Sequence, residues 1–362
     1  MSLSVNIRHA FASFGIDAAF DAPPGVTILF GRSGSGKTSI VNAVAGLLTP
    51  DHGRIELDDE VLLDTDAERN QPVNRRRIGY IFQDARLFPH LTVRRNLLYG
   101  RWFAPRAANH ESLDRIVEML GLGPLLGRRP GHLSGGERQR VAIGRALLSA
   151  PRLILADEPL ASLDEPRKAE ILPYFERLRD EVSVPILYVS HSGSEVARLA
   201  TTVVALEAGR VTRQGTAAEV LGDPMVMPLG VRGAGAVIEA TVARHHPDGL
   251  SELDAAGIPL FLPTVPHGAG AQIRVRIPAQ DVILARETPR GLSALNVIPA
   301  TVDSIREGGG PGAIVSLSTS AGRVLARITK RSAEALALSN GSSVFAIVKT
   351  LSIAPEDVGG ER

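Results

Sequence analysis

The first 230 residues alternate short apolar runs with longer mixed stretches. Four runs are apolar almost throughout and short enough to be strands buried on both faces, as in a parallel sheet; they cover residues 26–30, 153–156, 186–190 and 202–206. The stretch 38–48 is predicted as the helix that follows the first strand. This alternation is typical of an α/β fold.

Between about residues 85 and 150 the pattern becomes largely helical. Leu113, Ile116, Val117 and Leu120 recur at helical spacing. We therefore predict a helical subdomain inserted into the α/β fold, and a first domain that covers residues 1–230.

Past residue 230 the chain consists of short β-type runs punctuated by glycine, which is typical of a small barrel or sandwich. The run VIEATV at 237–242 recurs 60 residues later as VIPATV at 297–302, and IPAQDVILA at 277–285 is echoed by IVKTLSIA at 347–354.

This internal repeat predicts an all-β carboxy-terminal domain of two tandem, OB-like small barrels, one at 234–290 and one at 291–362. Two unrelated strand pairs that share common β residues would produce a similar pattern.

The composition excludes several classes of protein. With 40 basic and 39 acidic residues, the net charge of +1 provides no global attraction to nucleic acid, and the absence of cysteine excludes disulfides and Cys-ligated metals. The amino terminus lacks a charged and apolar leader, and no run approaches the roughly 20 apolar residues that span a bilayer. We expect a soluble cytoplasmic protein that binds no nucleic acid.

The first chemical motif is GRSGSGKT at 31–38, between the first predicted strand and its helix. It matches the phosphate-binding loop G-x-x-x-x-G-K-[ST], in which backbone N–H groups surround phosphates, the lysine reaches the β- and γ-phosphate oxygens and the hydroxyl binds Mg²⁺. ATP and Mg²⁺ are therefore the expected cofactors. The predicted phosphate-binding residues are Gly31, Arg32, Ser33, Gly34, Ser35, Gly36, Lys37 and Thr38.

Two carboxylates end the predicted strand at 153–156. Asp157 is predicted to reach the metal, and Glu158 is placed to orient or deprotonate the attacking water. A carboxylate pair in this position can also cap a helix.

The run LSGGE at 133–137 resembles the signature motif of ATP-binding cassette (ABC) ATPases, and the resemblance covers residues 1 to about 230. It implies a P-loop NTPase fold and a head-to-tail homodimer. In that dimer Ser134, Gly135 and Gly136 of one subunit close over the γ-phosphate held by Lys37 of the other.

The same resemblance implies roles for further residues. Gln83 is expected to contact Mg²⁺ and the attacking water, and His191 the γ-phosphate, while the run at 162–164 crosses the dimer interface. Phe14 or Phe11 is expected to stack on adenine, although core packing explains either aromatic equally well.

The stretch 80–97 (YIFQDARLFPHLTVRRNL) resembles the part of importer ATPases that contacts the membrane subunits. Residues 82–90, with the run SHS at 190–192, look most like the ATPase of bacterial molybdate importers. The resemblance implies ATP hydrolysis coupled to molybdate or tungstate import at the cytoplasmic face of the inner membrane. The implied partners are integral-membrane permease subunits and, through them, a periplasmic binding protein.

The carboxy-terminal half carries a resemblance of its own. The runs SALNVI at 293–298 and TKRSAEAL at 329–336 resemble the small molybdate/tungstate-binding barrel of such importers. Where the usual pattern is Ser-Ala-Arg-Asn, this chain has Leu295, which removes a cation. The candidate oxyanion ligands, with molybdate or tungstate as a regulatory ligand, are Ser293, Asn296, Lys330 and Ser332.

Two alternatives remain open on the sequence alone. One is an importer ATPase for sugar, iron or polyamine in which the barrels are structural or regulatory. The other is an ABC protein that acts on DNA or ribosomes, a class that normally has two cassettes or long coiled coils. A barrel that only dimerises would also fit the carboxy-terminal half.

Overall fold

The computed structural model describes residues 2–104, 111–223, 233–308 and 310–360. By internal contacts the chain divides into two compact units, Met1–His191 with Ala200–Gln214, and Ser192–Leu199 with Gly215–Arg362. Across the described ranges, no helix has both the length and the apolar character needed to cross a bilayer.

The first unit is built on one mixed sheet. Its strand order is β6-β5-β4-β1-β2-β11-β10-β3-β9-β8-β7, and β3 lies between two parallel neighbours, β9 and β10. The strands are β1 (Leu3–Ala10), β2 (Gly15–Ala22), β3 (Val26–Phe30), β4 (His52–Leu57), β5 (Glu60–Asp64), β6 (Arg69–Asn70), β7 (Ile78–Ile81), β8 (Leu153–Asp157), β9 (Ile186–Ser190), β10 (Thr202–Glu207) and β11 (Arg210–Gly215).

The helices of this unit include one that starts directly after the glycine-rich loop. They are α1 (Lys37–Ala45), α2 (Val93–Tyr99), α3 (Leu113–Met119), α4 (Gly135–Leu148) and α5 (Glu165–Glu181). Side chains of α1 join those of β1, β3, β8 and β9 in a buried core. The carboxyl ends of β3, β8 and β9, where the predicted chemical residues follow, therefore meet at one edge of the parallel part of the sheet.

The predicted strands at 26–30 and 186–190 have the predicted bounds, and the other two are each one residue longer. The predicted helix at 38–48 ends earlier, at Ala45, because Gly46 adopts a left-handed φ of 79° and its N–H caps the helix. In consequence Leu47 lies past the helix and is exposed. The helical subdomain predicted for 85–150 contains α2, α3 and α4.

The second unit is mostly β-structure. Its strands form two five-stranded sheets, β14-β13-β12-β15-β21 and β16-β20-β17-β18-β19. The strands are β12 (Gly235–His245), β13 (Leu250–Ala255), β14 (Ile258–Pro263), β15 (Gln272–Pro278), β16 (Val282–Ala285), β17 (Asn296–Glu307), β18 (Gly312–Thr319), β19 (Gly322–Thr329), β20 (Ser343–Val348) and β21 (Val358–Gly360). Its helices are α6 (Gly193–Leu199), α7 (Ala217–Leu221) and α8 (Lys330–Ala335).

The internal repeat corresponds to β12 and β17, the central strands of the two sheets. Each carries a bulge at the same place in the repeat, between Val242 and Arg244 in β12 and between Val302 and Ser304 in β17. Because bulges bend a strand at defined positions, this coincidence supports two copies of one barrel pattern.

The two repeats of the β unit exchange strands within the one chain. After β15 the chain crosses to the other sheet, where β16 pairs with β20, and after β20 it returns as β21, which pairs with β15. The apolar side chains of both sheets form one continuous core. The predicted boundary between the barrels near residue 290 stays a prediction, and the boundary at residue 230 lies outside the described residues.

Candidate active site

The loop between β3 and α1 takes a path that depends on glycine. Gly34 and Gly36 have φ values of 82° and 97°, in the left-handed region that side chains rarely adopt. A Cβ on Gly31 would collide with the carbonyl oxygen of Leu206. The loop therefore wraps closely around the start of α1, where free N–H groups and the positive helix end favour an anion.

Two polar side chains of the loop are buried. Ser35 Oγ is inaccessible and has no hydrogen-bond partner among the described residues, as expected of a group placed for a bound anion. Lys37 Nζ donates to the carbonyl oxygens of Gly31 and Arg32, both at 2.8 Å, and lies 3.8 Å from Glu158 Oε1. Burial lowers the pKa of Lys37, and the carboxylates of Glu158 and Asp157 oppose that shift.

Asp157 ends β8 beside the first turn of α1. Its Oδ1 accepts a hydrogen bond from Thr38 Oγ1 at 3.0 Å, and its Oδ2 accepts one from the hydroxyl of Tyr80 at 3.3 Å. Burial raises the pKa of Asp157, and the two hydrogen bonds oppose that rise. Hydroxyl and carboxylate oxygens are the ligands that Mg²⁺ prefers, so the paired Thr38 and Asp157 fit a magnesium site.

Glu158 faces both the lysine and the histidine predicted for the γ-phosphate. His191 Nδ1 lies 3.4 Å from Glu158 Oε2, while Oε1 faces Lys37. Glu158 has a φ of 44°, which is uncommon for a residue with a side chain and turns the chain sharply after β8. The structure thus brings Lys37, Glu158 and His191 together.

A cavity of about 550 Å³ lies over the loop, and its lining includes Phe11, Phe14, Thr38 and Glu158. The Phe14 ring packs against Gly36, whereas the Phe11 ring is 39% exposed; their centroids are 6.1 Å apart. Both aromatic candidates for adenine stacking therefore line the cavity.

Gln83 and the signature residues lie on other elements. Gln83 follows β7 and is exposed. Ser134 caps α4: its Oγ accepts from the N–H of Glu137, and its own N–H donates to the Glu137 side chain. Gly135 and Gly136 form the first turn of that helix. Neither Gln83 nor the signature residues line the cavity over the loop.

Comparison with known proteins agrees with this geometry. Residues 17–161 match the family model of ABC transporters, and residues 292–354 match that of the TOBE domain. The chain is 52% identical over 361 residues to the molybdenum import ATP-binding protein ModC of Mesorhizobium japonicum, covering 99% of this chain and 98% of that protein. It is 53% identical to ModC of Rhizobium meliloti, covering 98% and 99%.

The chain belongs to the ABC transporter ATPases. A nucleotide-free ABC transporter cassette of known structure is 26% identical, with a TM-score of 0.52, and covers 62% of this chain and 97% of its own. The bacterial ABC transporter cassette MJ0796, solved as a dimer, is 28% identical with a TM-score of 0.50, and covers 60% and 99%.

These findings confirm the predicted fold class. An ABC ATPase domain with its helical insertion precedes an all-β carboxy-terminal region. The predicted enzyme class, an ABC-type ATPase, is also confirmed. The roles of the individual site residues stay predictions.

In this ABC ATPase the four predicted oxyanion ligands do not form one cluster of free donors. Asn296 is fully buried; its Oδ1 accepts from the N–H of Phe261 at 2.7 Å, and its Nδ2 donates to the Phe261 carbonyl at 3.0 Å. The Lys330 ammonium lies 3.2 Å from Glu307. Ser293 is exposed.

Asn296 therefore has a structural use that sequence reasoning missed. Phe261 lies in β14, an edge strand whose outward N–H and C=O would otherwise lack ladder partners. The Asn296 amide satisfies both, so its side chain is occupied and is not a free ligand. Ser332 lines a cavity of about 940 Å³ beside β16, β18 and β19.

Tyr80 was also missed as a residue of the active site. Its hydroxyl reaches Asn42 in α1 as well as Asp157. The available signal was a lone phenol in an otherwise apolar strand, IGYI, which runs directly to Gln83. A buried phenol needs a hydrogen-bond partner, but the sequence does not identify that partner.

Proposed function

We propose that this chain is the ATP-hydrolysing subunit of a bacterial molybdate or tungstate importer. The observation that carries the proposal is the identity of about half of all positions, over nearly the full length of both chains, with proteins named for molybdenum import. The ATPase machinery described above supplies the motor for such a transporter.

Each residue of the active site has a proposed part in hydrolysis. The loop N–H groups and Lys37 neutralise the β- and γ-phosphates, and Glu158 orients and deprotonates the attacking water. His191, which touches the same carboxylate, contacts the γ-phosphate. Thr38 and Asp157, with Gln83, would hold Mg²⁺, which supplies further charge neutralisation when bound.

We also propose that two copies form a head-to-tail dimer. Ser134 opens helix α4 with N–H groups suited to an anion, yet it does not line the phosphate cavity of its own chain. A second copy would bring its Ser134, Gly135 and Gly136 to the γ-phosphate. ATP then favours the closed dimer, and hydrolysis permits it to open.

The membrane partner is proposed to dock on the helical subdomain. In the stretch 80–97, which resembles the part of importer ATPases that contacts the membrane subunits, Leu87, Phe88 and Leu91 are half-buried. The exposed rings are instead Trp102 and Phe103, at 72% and 74%, which adjoin Tyr99. An exposed aromatic group of this kind suits an apolar helix of a permease subunit. Such docking would place the chain at the cytoplasmic face of the inner membrane, with a periplasmic binding protein beyond the permease.

Molybdate or tungstate is the proposed regulatory ligand of the carboxy-terminal unit. Because Asn296 is occupied and Leu295 replaces a cation, Ser293, Lys330 and Ser332 are the remaining candidates. Hydroxyl and ammonium donors suit a tetrahedral dianion.

Complementation tests the transport function. The chain is expressed in a Rhizobium meliloti strain that lacks its own molybdenum import ATP-binding protein, and cellular molybdenum is measured by mass spectrometry at limiting molybdate. Restored accumulation with the wild-type chain, but not with Lys37→Ala, is expected. No recovery despite normal expression and membrane association, or recovery of sugar, iron or polyamine uptake instead, contradicts the proposal.

A further inference from the structure

Strand β7 places the phenol of Tyr80 between helix α1 and the end of strand β8. Tyr80 lies opposite Leu155 of the parallel neighbour β8, two residues before Asp157. Its hydroxyl reaches Asp157 Oδ2 at 3.3 Å and Asn42 Oδ1 at 3.1 Å. Asn42 belongs to α1, the helix whose first turn receives the phosphates. Tyr80 therefore connects the phosphate helix to the predicted metal carboxylate.

The two oxygens of Asp157 face different partners. Oδ1 is bonded to Thr38, the other predicted metal ligand, and so faces the predicted metal position. Oδ2 faces Tyr80 on the opposite side. A phenol has one proton, and distances above the usual value of about 2.8 Å are expected when two acceptor oxygens share it. The hydroxyl therefore restricts rotation of the carboxylate without occupying its metal-facing oxygen.

The Tyr80 ring is itself held in place. It stacks on Phe82, with centroids 4.0 Å apart and planes inclined by 15°, and the Arg86 guanidinium lies 4.2 Å from the Phe82 ring centroid. Phe82 directly precedes Gln83, and its carbonyl accepts from Gln139 of α4 at 3.4 Å. This packing leaves the Tyr80 side chain few rotamers. Its hydroxyl therefore loses little conformational entropy when it forms the hydrogen bond to Asp157.

We propose that Tyr80 is a positioning residue, which holds the Asp157 carboxylate in the orientation that binds Mg²⁺. The proposal rests on the ATPase function of this chain and on Asp157 as metal ligand, and is independent of which solute is imported. Groups that orient a metal ligand typically contribute 10–100-fold to metal affinity or activity. We expect the lower end of that range here, because the hydroxyl is shared between Asp157 and Asn42.

The test replaces Tyr80 by Phe in the full-length protein, which removes the hydroxyl and retains the ring that stacks on Phe82. Mn²⁺ serves as the metal probe, and its binding in the presence of ADP is followed by electron paramagnetic resonance of the free ion. Calorimetry with ATP in EDTA measures nucleotide binding without metal. We expect Mn²⁺ affinity to fall about tenfold while metal-free ATP affinity stays within about twofold of wild type. The half-saturating Mg²⁺ concentration for hydrolysis should rise by a similar factor, with most of the rate recovered at saturating Mg²⁺.

Tyr174→Phe is the matched control. It removes another half-buried phenol, one that is bonded to Arg140 at 3.3 Å, and it should leave metal affinity unchanged. Asn42→Ala removes the competing acceptor, so the phenol proton goes to Asp157 alone and Mn²⁺ affinity should rise, by less than Tyr80→Phe lowers it. Because this gain depends on the hydroxyl, it should be absent in the double variant, which should bind Mn²⁺ as Tyr80→Phe does.

Several outcomes would overturn the proposal. One is wild-type Mn²⁺ affinity in Tyr80→Phe; another is a slower rate at saturating Mg²⁺ with unchanged metal affinity. If Tyr80→Phe does not bind ATP in EDTA, the fold is affected, and Asn42→Ala decides: Mn²⁺ affinity that stays unchanged or falls in that variant counts against the proposal. If the binding of ATP and Mn²⁺ does not depend on Asp157, neither Asp157 nor Tyr80 has the proposed role. None of these measurements depends on which solute the transporter imports.

Discussion

The ATP site and the predicted oxyanion ligands differ in how their side chains are used. Around the ATP site, Lys37 and Glu158 line one cavity. Lys37, Asp157 and Glu158 each lie within 4 Å of one another or of His191 and Thr38. In the β unit, Asn296 is bonded to the backbone of Phe261 and Lys330 is paired with Glu307.

A motif that works through its backbone path can be transferred between sequences more safely than one that works through single side chains. The phosphate loop works through its backbone path, which Gly34 and Gly36 impose locally. An oxyanion pocket depends on single side chains from separate strands and loops. One replacement, such as Leu295, can remove a ligand from such a pocket. One competing partner, such as Phe261 for Asn296, has the same effect, and in both cases the rest of the motif remains recognisable.

Substitution of Glu158 in the ATP site should have the strongest effect on hydrolysis. Glu158→Gln keeps the size and hydrogen bonding of the side chain but removes the base, so hydrolysis should fall by about 10²-fold or more while ATP still binds. Phosphate release and equilibrium ATP binding are measured side by side. Near wild-type turnover would show that Glu158 is not the base and that the contacts around it are structural.

A smaller effect is expected for regulation by the β unit. Molybdate should slow ATP hydrolysis by the assembled transporter by a factor that corresponds to about 1–3 kcal/mol, and sulfate, which is smaller, should do less. Ser293→Ala with Ser332→Ala should abolish the slowing and leave basal hydrolysis intact. If molybdate has no effect on the wild-type transporter, the barrels are structural and, unlike the ATP site, bind no regulatory ligand.

The smallest effect concerns stability alone. Asn296→Ala leaves the N–H and carbonyl of Phe261 without partners, and should lower the free energy of unfolding of the β unit by about 1–3 kcal/mol. Urea melts compare it with Asn340→Ala, at an exposed position. A loss of molybdate response with no loss of stability would instead restore Asn296 as a ligand.

The sequence was informative wherever a property is local. Apolar runs predicted β3 and β9 with their observed bounds, because a strand buried on both faces has no polar position. The strand exchange was not predictable, because Val358 pairs with Val275 across more than 80 residues, and nothing local distinguishes that partner. Tyr80 was missed for the same reason: alternation along β7 indicates a face of the sheet but not the carboxylate on β8 that the hydroxyl meets.

We propose that ATP is hydrolysed between two copies of the chain, with Lys37, Asp157 and Glu158 from one copy and Ser134 from the other. An equal mixture of Ser134→Arg and Lys37→Ala subunits forms heterodimers with one intact site and one doubly altered site. ATP hydrolysis is measured for each variant alone and for the mixture. We expect two inactive homodimers and clear activity on mixing; a mixture as inactive as its components, although heterodimers are shown to form, would contradict hydrolysis between two copies.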